Sequence, residues 1–178
     1  MPIHAPIVAA TVDKTWSLRP ASSSDLGPLA ELLNAEILSG TASWTSRPKT
    51  EEEIAKWIVE RTGAGFPVIV AEADDHVLGF GSFGPFRRGD GYRHTVEHTI
   101  YVAAAHRRKG VARALLSRLI SQAEKDGVHR MIAAISSDQI ASISLHEGFD
   151  FRRVGLLPEA GRKFDRWLDL VLMMRSMG

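Results

Sequence analysis

The 178-residue chain contains no cysteine. That excludes a disulfide framework, a thiolate zinc site and a thiol nucleophile, and it leads us to expect a reducing, cytoplasmic setting. Long apolar runs are also missing: no stretch approaches the ~18 consecutive apolar residues of a transmembrane helix, so no membrane partner is expected. Charge of one sign is lacking as well. With 22 Lys and Arg against 21 Asp and Glu, the formal charge is +1 and gives no support for a nucleic-acid or membrane coat. Residues 1–15 lack the basic region of a signal peptide and are broken by Pro2 and Pro6, which predicts a loose N-terminal extension. The 44% hydrophobic content predicts one folded domain over residues 16–178.

From Trp16 onward, strand and helix signals alternate. Trp16–Arg19 reads as a strand stopped by Pro20. Ser22 to Asp25 offer caps for a helix carrying Leu26, Leu29, Leu32, Leu33 and Ile37 on one face and ending at Gly40. Thr50 and Glu53 have capping-box spacing before a second helix that ends at Gly63. Two strands, 66–73 and 77–83, form a hairpin about Asp74-Asp75-His76, and a Gly- and Arg-rich loop follows. Residues 94–102 alternate as a strand, 110–126 form the strongest amphipathic helix, 130–135 a strand, 139–147 a short helix and 165–174 a last strand. The order β-α-α-β-β-β-α-β-α-β predicts an α/β (α+β) domain with a mixed sheet and helices on both faces.

Three motifs resemble chemical signatures. Gly79-Phe80-Gly81-Ser82-Phe83-Gly84 matches the dinucleotide-binding G-x-G-x-x-G, but it lies within a strand and Pro85 follows where a helix would have to open. A glycine-rich strand approached closely by another group is expected instead. His94-Thr95-Val96-Glu97-His98 matches H-x-x-E-H, which binds zinc only on a helix; on a strand at ~3.3 Å per residue the two His Cα atoms stand about 13 Å apart. No metal is expected. Arg107-Arg108-Lys109-Gly110-Val111-Ala112 opens the long helix directly after a strand, where unpaired N–H groups, a helix dipole and three cations suit a pyrophosphate.

Arg107-x-x-Gly110-x-Ala112 in that setting resembles the acetyl-CoA signature of the GNAT acyltransferase superfamily, and the order of elements is similar too. Thr95-Val96-Glu97-His98-Thr99-Ile100-Tyr101-Val102, Ala141-Ser142-Ile143-Ser144-Leu145-His146-Glu147 and Gly161-Arg162-Lys163-Phe164-Asp165-Arg166-Trp167-Leu168-Asp169 resemble the phosphinothricin N-acetyltransferase family, which also acetylates methionine sulfoximine and sulfone. The resemblance, from about Ser17 to Arg175, implies a GNAT-like, mostly antiparallel sheet, acetyl-CoA as cosubstrate, a small-molecule amine as acceptor and a homodimer. It implies that the strand at Ile100, Tyr101 and Val102 receives the acetyl and pantetheine end, that Arg108, Lys109, Gly110, Val111, Ala112 and Arg113 cradle the pyrophosphate, and that Gln139 stands where the family has a CoA-contacting Asn. By the same resemblance Glu97 is the general base, His98 and Thr99 line the acceptor site, Arg87, Arg88 and Gly89 contact the substrate, and His146 lies near the reacting centre. The chain departs from the family in placing Gly148-Phe149 directly after Glu147, two residues early.

An α-amine must lose a proton before it attacks a thioester, and a carboxylate on a strand can take it; the alternatives for Glu97 are an exposed strand carboxylate or a partner for Arg93. An oxyanion would be met by a free backbone N–H near Val102. His146 is either a second base or water-orienting group, or a structural histidine bonded to backbone. Arg87, Arg88 and Arg93 suit a substrate carboxylate or phosphinate. Trp44 and Phe86 are candidates for an apolar wall. The rival functions are transfer to another amine, a noncatalytic CoA-binding sensor and a metal hydrolase. Residues 85–123 hold eight Lys and Arg against two Asp and Glu, so the neutral total conceals a local positive block.

Overall fold

The computed structural model describes residues 16–177; the expected extension at residues 1–15 lies outside them. Along the chain come β1 (Ser17–Pro20), α1 (Leu26–Ser39), α2 (Glu51–Gly63), β2 (Val68–Ala73), β3 (His76–Pro85), β4 (Thr95–Val102), α3 (Val111–Lys125), β5 (Arg130–Ser136), α4 (Ile140–Glu147), β6 (Arg152–Lys163) and β7 (Arg166–Ser176). One seven-stranded sheet runs β1-β2-β3-β4-β5-β7-β6, antiparallel at every pairing except β4–β5.

The local signals act as their chemistry requires. Thr50 Oγ1 accepts from Glu53 N (3.2 Å) and Glu53 Oε2 accepts from Thr50 N (3.0 Å), closing the capping box of α2. Asp74 and Asp75, at φ 47° and 62°, make the tight β2–β3 turn whose left-handed residues match strand twist. The glycines of β3 serve contact and not phosphate binding. A Cβ on Gly79 would sit 2.6 Å from the Tyr101 carbonyl oxygen, and one on Gly81 3.0 Å from Leu119 Cδ1.

The stripe of α3 packs Val111, Leu115, Leu116 and Leu119 onto one face of the sheet, where Ile143 of α4 joins them. On the other face Leu29 and Ala30 of α1 and Ile54 of α2 meet Val70 and Phe80 in a smaller core. Alternation along β4 therefore decides what each side sees. Val96, Ile100 and Val102 belong to the α3 side and Tyr101 to the α1–α2 side.

One strand escaped the sequence reading, which counted six. β6 is an edge strand with Arg152, Arg153, Val154, Leu156, Leu157 and Glu159 all exposed, so it lacks the buried alternation that marks a strand. Its pairing with β7 slips between Arg153 and Gly155 and between Leu157 and Gly161, around Pro158, a residue that only an edge or a bulge tolerates.

Candidate active site

β4 and β5 pair only from Thr95 to Glu97 against Arg130 to Ile132. β4 then stays on β3 as far as Val102, while β5 stays on β7 as far as Ser136, so the two strands part in the middle of the sheet. Between them the backbone of residues 98–102 presents an edge that no strand fills. Unpaired backbone groups there are available to an extended ligand.

Directly beyond the parting, Arg107 is fastened at both ends: its Nε donates to the Val102 carbonyl (3.2 Å) and its Nη2 to Glu36 Oε2 (3.0 Å). Glu36, nearly buried on α1, also accepts from Ala42 N (2.9 Å). Arg108 (φ 59°) and Gly110 (φ 86°) then turn the chain into α3 in the left-handed region, and Arg108, Lys109, Gly110 and Arg113 remain exposed around its first turn. Arg113 lies over the Phe149 ring, 5.2 Å from its centre. The result is a cationic helix start beside an open strand edge, which fits an extended ligand ending in a pyrophosphate.

A cavity of about 450 Å³ adjoins that edge on the α1 side, lined among others by Glu36, Tyr101, Val102, Gln139 and Phe164. Gln139 caps α4 and donates to Thr41 Oγ1 (2.7 Å), and Thr41 donates to Asp138 Oδ1 (2.8 Å). The longer amide therefore ties α4 to the end of α1. Lys163 of β6 crosses the other wall, its buried Nζ donating to the carbonyls of Gly40 (2.6 Å) and Ser43. Trp44 lies on Gly161 of β6, where a Cβ would overlap its ring.

Glu97 sits opposite Gly84 in the β3–β4 register. It is open to solvent on one side and crowded on the others, and that enclosure pushes its carboxyl above the ordinary range while Arg87 and Arg61 pull it back. Arg93, the expected alternative partner, instead donates from Nε to His94 Nε2 (3.0 Å). Arg87 is exposed, over the Phe86 ring at 5.1 Å, and with Arg88 and Gly89 it lines an open basin in front of the loop. Thr99 shares the face of Glu97 by alternation.

His98 points the other way. It is buried against Phe151, its Nε2 lying 3.0 Å from Nε2 of the buried His146 and the two rings stacked at 4.9 Å. The Ser142 carbonyl, 2.7 Å from His146 Nδ1, can only accept, so that nitrogen carries the proton. His146 Nε2 then accepts, and His98 Nε2 must donate. His98 Nδ1 is left with a lone pair that is buried and without a partner. Burial lowers both imidazoles, His98 to about 3 with His146 adding to the effect. H-x-x-E-H thus dissolves: His94 faces the Gly127 carbonyl (3.2 Å), and no group of three or more His, Asp or Glu able to hold a metal occurs among the described residues.

A pH consequence follows. A pair held neutral in the fold takes up protons on unfolding from about pH 6.5 downward, so its stability contribution is complete above that pH and is lost as pH falls toward 3. Glu97, raised, acts with the opposite sign, from about pH 4.5 upward. Melting temperature should drop between pH 7.5 and 5.5, and less steeply in His98→Asn; equal slopes would contradict the neutral pair.

Residues 29–151 match the acetyltransferase (GNAT) family. The chain belongs to the GNAT acetyltransferase family. Over 161 residues it is 43% identical to the L-amino acid N-acyltransferase MnaT of Escherichia coli, covering 90% of this chain and 94% of that protein. It is 41% identical, with the same coverage, to an L-methionine sulfoximine/L-methionine sulfone acetyltransferase of Salmonella typhimurium. Among solved structures, a GNAT phosphinothricin acetyltransferase from Sinorhizobium meliloti in complex with acetyl-CoA aligns with TM-score 0.89 at 36% identity over 92% of this chain and 89% of that one. The GNAT assignment makes the parted strands and the basic turn intelligible together: the protein is an acetyl-CoA-dependent N-acetyltransferase. The mostly antiparallel GNAT sheet expected from the sequence is present.

Three parts of the site were not anticipated. Glu36 stands in the leucine stripe of α1, a carboxylate among Leu29, Leu32, Leu33 and Ile37, and that misplaced charge was its signal. Lys163 and Arg61 carried none, because the groups they meet, the carbonyls of Gly40 and Ser43 for the lysine and Gly84 and Glu97 for the arginine, are brought near only through the fold.

Proposed function

We propose that this GNAT enzyme transfers acetyl to the α-amine of a small amino-acid-like acceptor of the phosphinothricin, methionine sulfoximine or methionine sulfone type, with Glu97 as general base. The observation that carries it is the placement of Glu97. It stands at the last β4–β5 pair, immediately before the parted edge, with a raised carboxyl and Arg87 beside it. The relatives named for methionine sulfoximine, methionine sulfone and phosphinothricin support the acceptor class.

In this mechanism the edge at Ile100, Tyr101 and Val102 holds the acetyl and pantetheine end of acetyl-CoA, and Arg108 to Arg113 hold its pyrophosphate. Glu97 takes a proton from the acceptor ammonium; the freed amine attacks the acetyl carbon; backbone N–H groups near Val102 stabilise the oxyanion; the C–S bond breaks, and the second proton lost by the attacking nitrogen passes to the departing CoA sulfur, leaving the amide and the CoA thiol. Arg87 and Arg88 draw in the acidic group of the acceptor. His146 serves as a positioning residue, since its bond to Ser142 and its contact with His98 hold β4 from behind. The enzyme is placed in the cytoplasm, consistent with the lack of cysteine; no helix among the described residues is long and apolar enough to cross a membrane.

A homodimer joined along β6 and β7 accounts for the exposed Val154, Leu156, Leu157 and Trp167. CoA-thiol release should be measured against an amine panel containing methionine sulfoximine, methionine sulfone and phosphinothricin, with sedimentation of the same sample. Turnover of at least one of the three by a dimer is expected. Silence across the panel would refute the acceptor class, and a monomer would refute the dimer.

A further inference from the structure

Arg61, in the last turn of α2, is half-buried and its guanidinium rests against β3 close enough to act on Glu97. What admits it is Gly84, the residue paired with Glu97: a Cβ built there would overlap Nη1 and Cζ of Arg61. From beneath, Trp57, one helical turn earlier, supports the guanidinium at 5.7 Å from its ring centre. Held on both sides, the group gives none of its N–H donors to a protein acceptor among the described residues. Neither Arg61 nor Arg87 closes an ion pair with Glu97, although both reach it electrostatically. Partial burial disfavours the charge on Arg61, so the fold holds a cation at some cost and leaves its donors unspent.

A planar fork with free donors, fixed next to a general base, matches a carboxylate that arrives together with the amine. We propose that Arg61 binds the α-carboxylate of the acceptor, fixing the adjacent α-amine at Glu97, and so makes the enzyme selective for amino acids over simple amines. Arg87, on the exposed rim of the loop basin, then remains for the acidic or polar group at the far end of the side chain. The inference rests on the amino-acid acceptor proposed above. It adds a residue from α2, where no part of the sequence pattern pointed.

The test compares methionine sulfone with 3-(methylsulfonyl)propylamine, which lacks only the carboxylate, in wild type, Arg61→Gln and Gly84→Ala. The second variant keeps the arginine but displaces its flexible end. In wild type the amino acid should be preferred. In both variants kcat/KM for methionine sulfone should fall about 10- to 100-fold, the scale of a lost charge-assisted bond, mainly through KM. The decarboxylated amine should lose much less, and KM for acetyl-CoA should stay unchanged. Equal losses for the two acceptors, or a shifted pH profile with the preference intact, would overturn the carboxylate role and show that Arg61 acts only through Glu97. Wild type that turns over neither compound nor any other amino acid would instead refute the acceptor class itself.

Discussion

Replacing Lys163 by Met should lower the melting temperature by about 5–10 °C. The lysine is the last residue of β6, 7% exposed, and its ammonium donates to the carbonyls of Gly40 and Ser43, which belong to the chain leaving α1. Methionine keeps the length and apolar stem but leaves those acceptors without a donor. Hydrogen bonds from a charged donor contribute about 1.5–3 kcal/mol each, and the lysine offsets part of that by being desolvated, so a net loss of about 2–3 kcal/mol is expected. For a chain of this size each kcal/mol moves the midpoint by roughly 2–4 °C. An unchanged melting curve would mean that the hairpin is held by its strand pairing alone.

The elements that the sequence disclosed are those whose burial repeats at a fixed period. α3 has a wide stripe over four turns, β4 alternates over eight residues, and the capping box of α2 is written in two residues. β6 has no such period because its side chains from Arg152 to Arg162 are exposed, so only its pairing with β7 defines it. Placement of the site residues divides in the same way. Glu97 and the turn from Arg107 to Gly110 were legible because each is tied to the end or start of an element that could be located. The contact of His98 with His146 spans 48 residues, and Arg61 meets Gly84 only where α2 lies across β3, so no local pattern contains either. Alternation did foretell that Glu97 and His98 face opposite sides of the sheet. It did not foretell that the second side would be a closed pocket holding a neutral histidine pair.

Glu97→Gln should leave the fold intact and remove most of the activity. The side chain is open to solvent and makes no ion pair, so an isosteric amide costs the fold little. Its loss as a base is another matter. At neutral pH the acceptor amine is mostly protonated, and a positioned base contributes about 10²- to 10⁴-fold to such a step. The raised carboxyl brings its basicity closer to the working pH, and the two arginines keep enough of it ionised to accept the proton. The effect should fall on kcat. With acetyl-CoA held, as proposed, at the edge of β4 and the start of α3, its KM should be unaffected.

The most direct measurement is therefore the rate of CoA-thiol release with saturating acetyl-CoA and methionine sulfone, for wild type and Glu97→Gln, at pH 7.5, with melting curves on both. A wild-type rate reduced at least 100-fold in a variant of equal melting temperature is the expected result. Equal rates in the two proteins would contradict Glu97 as the base and, with it, the central claim about this site.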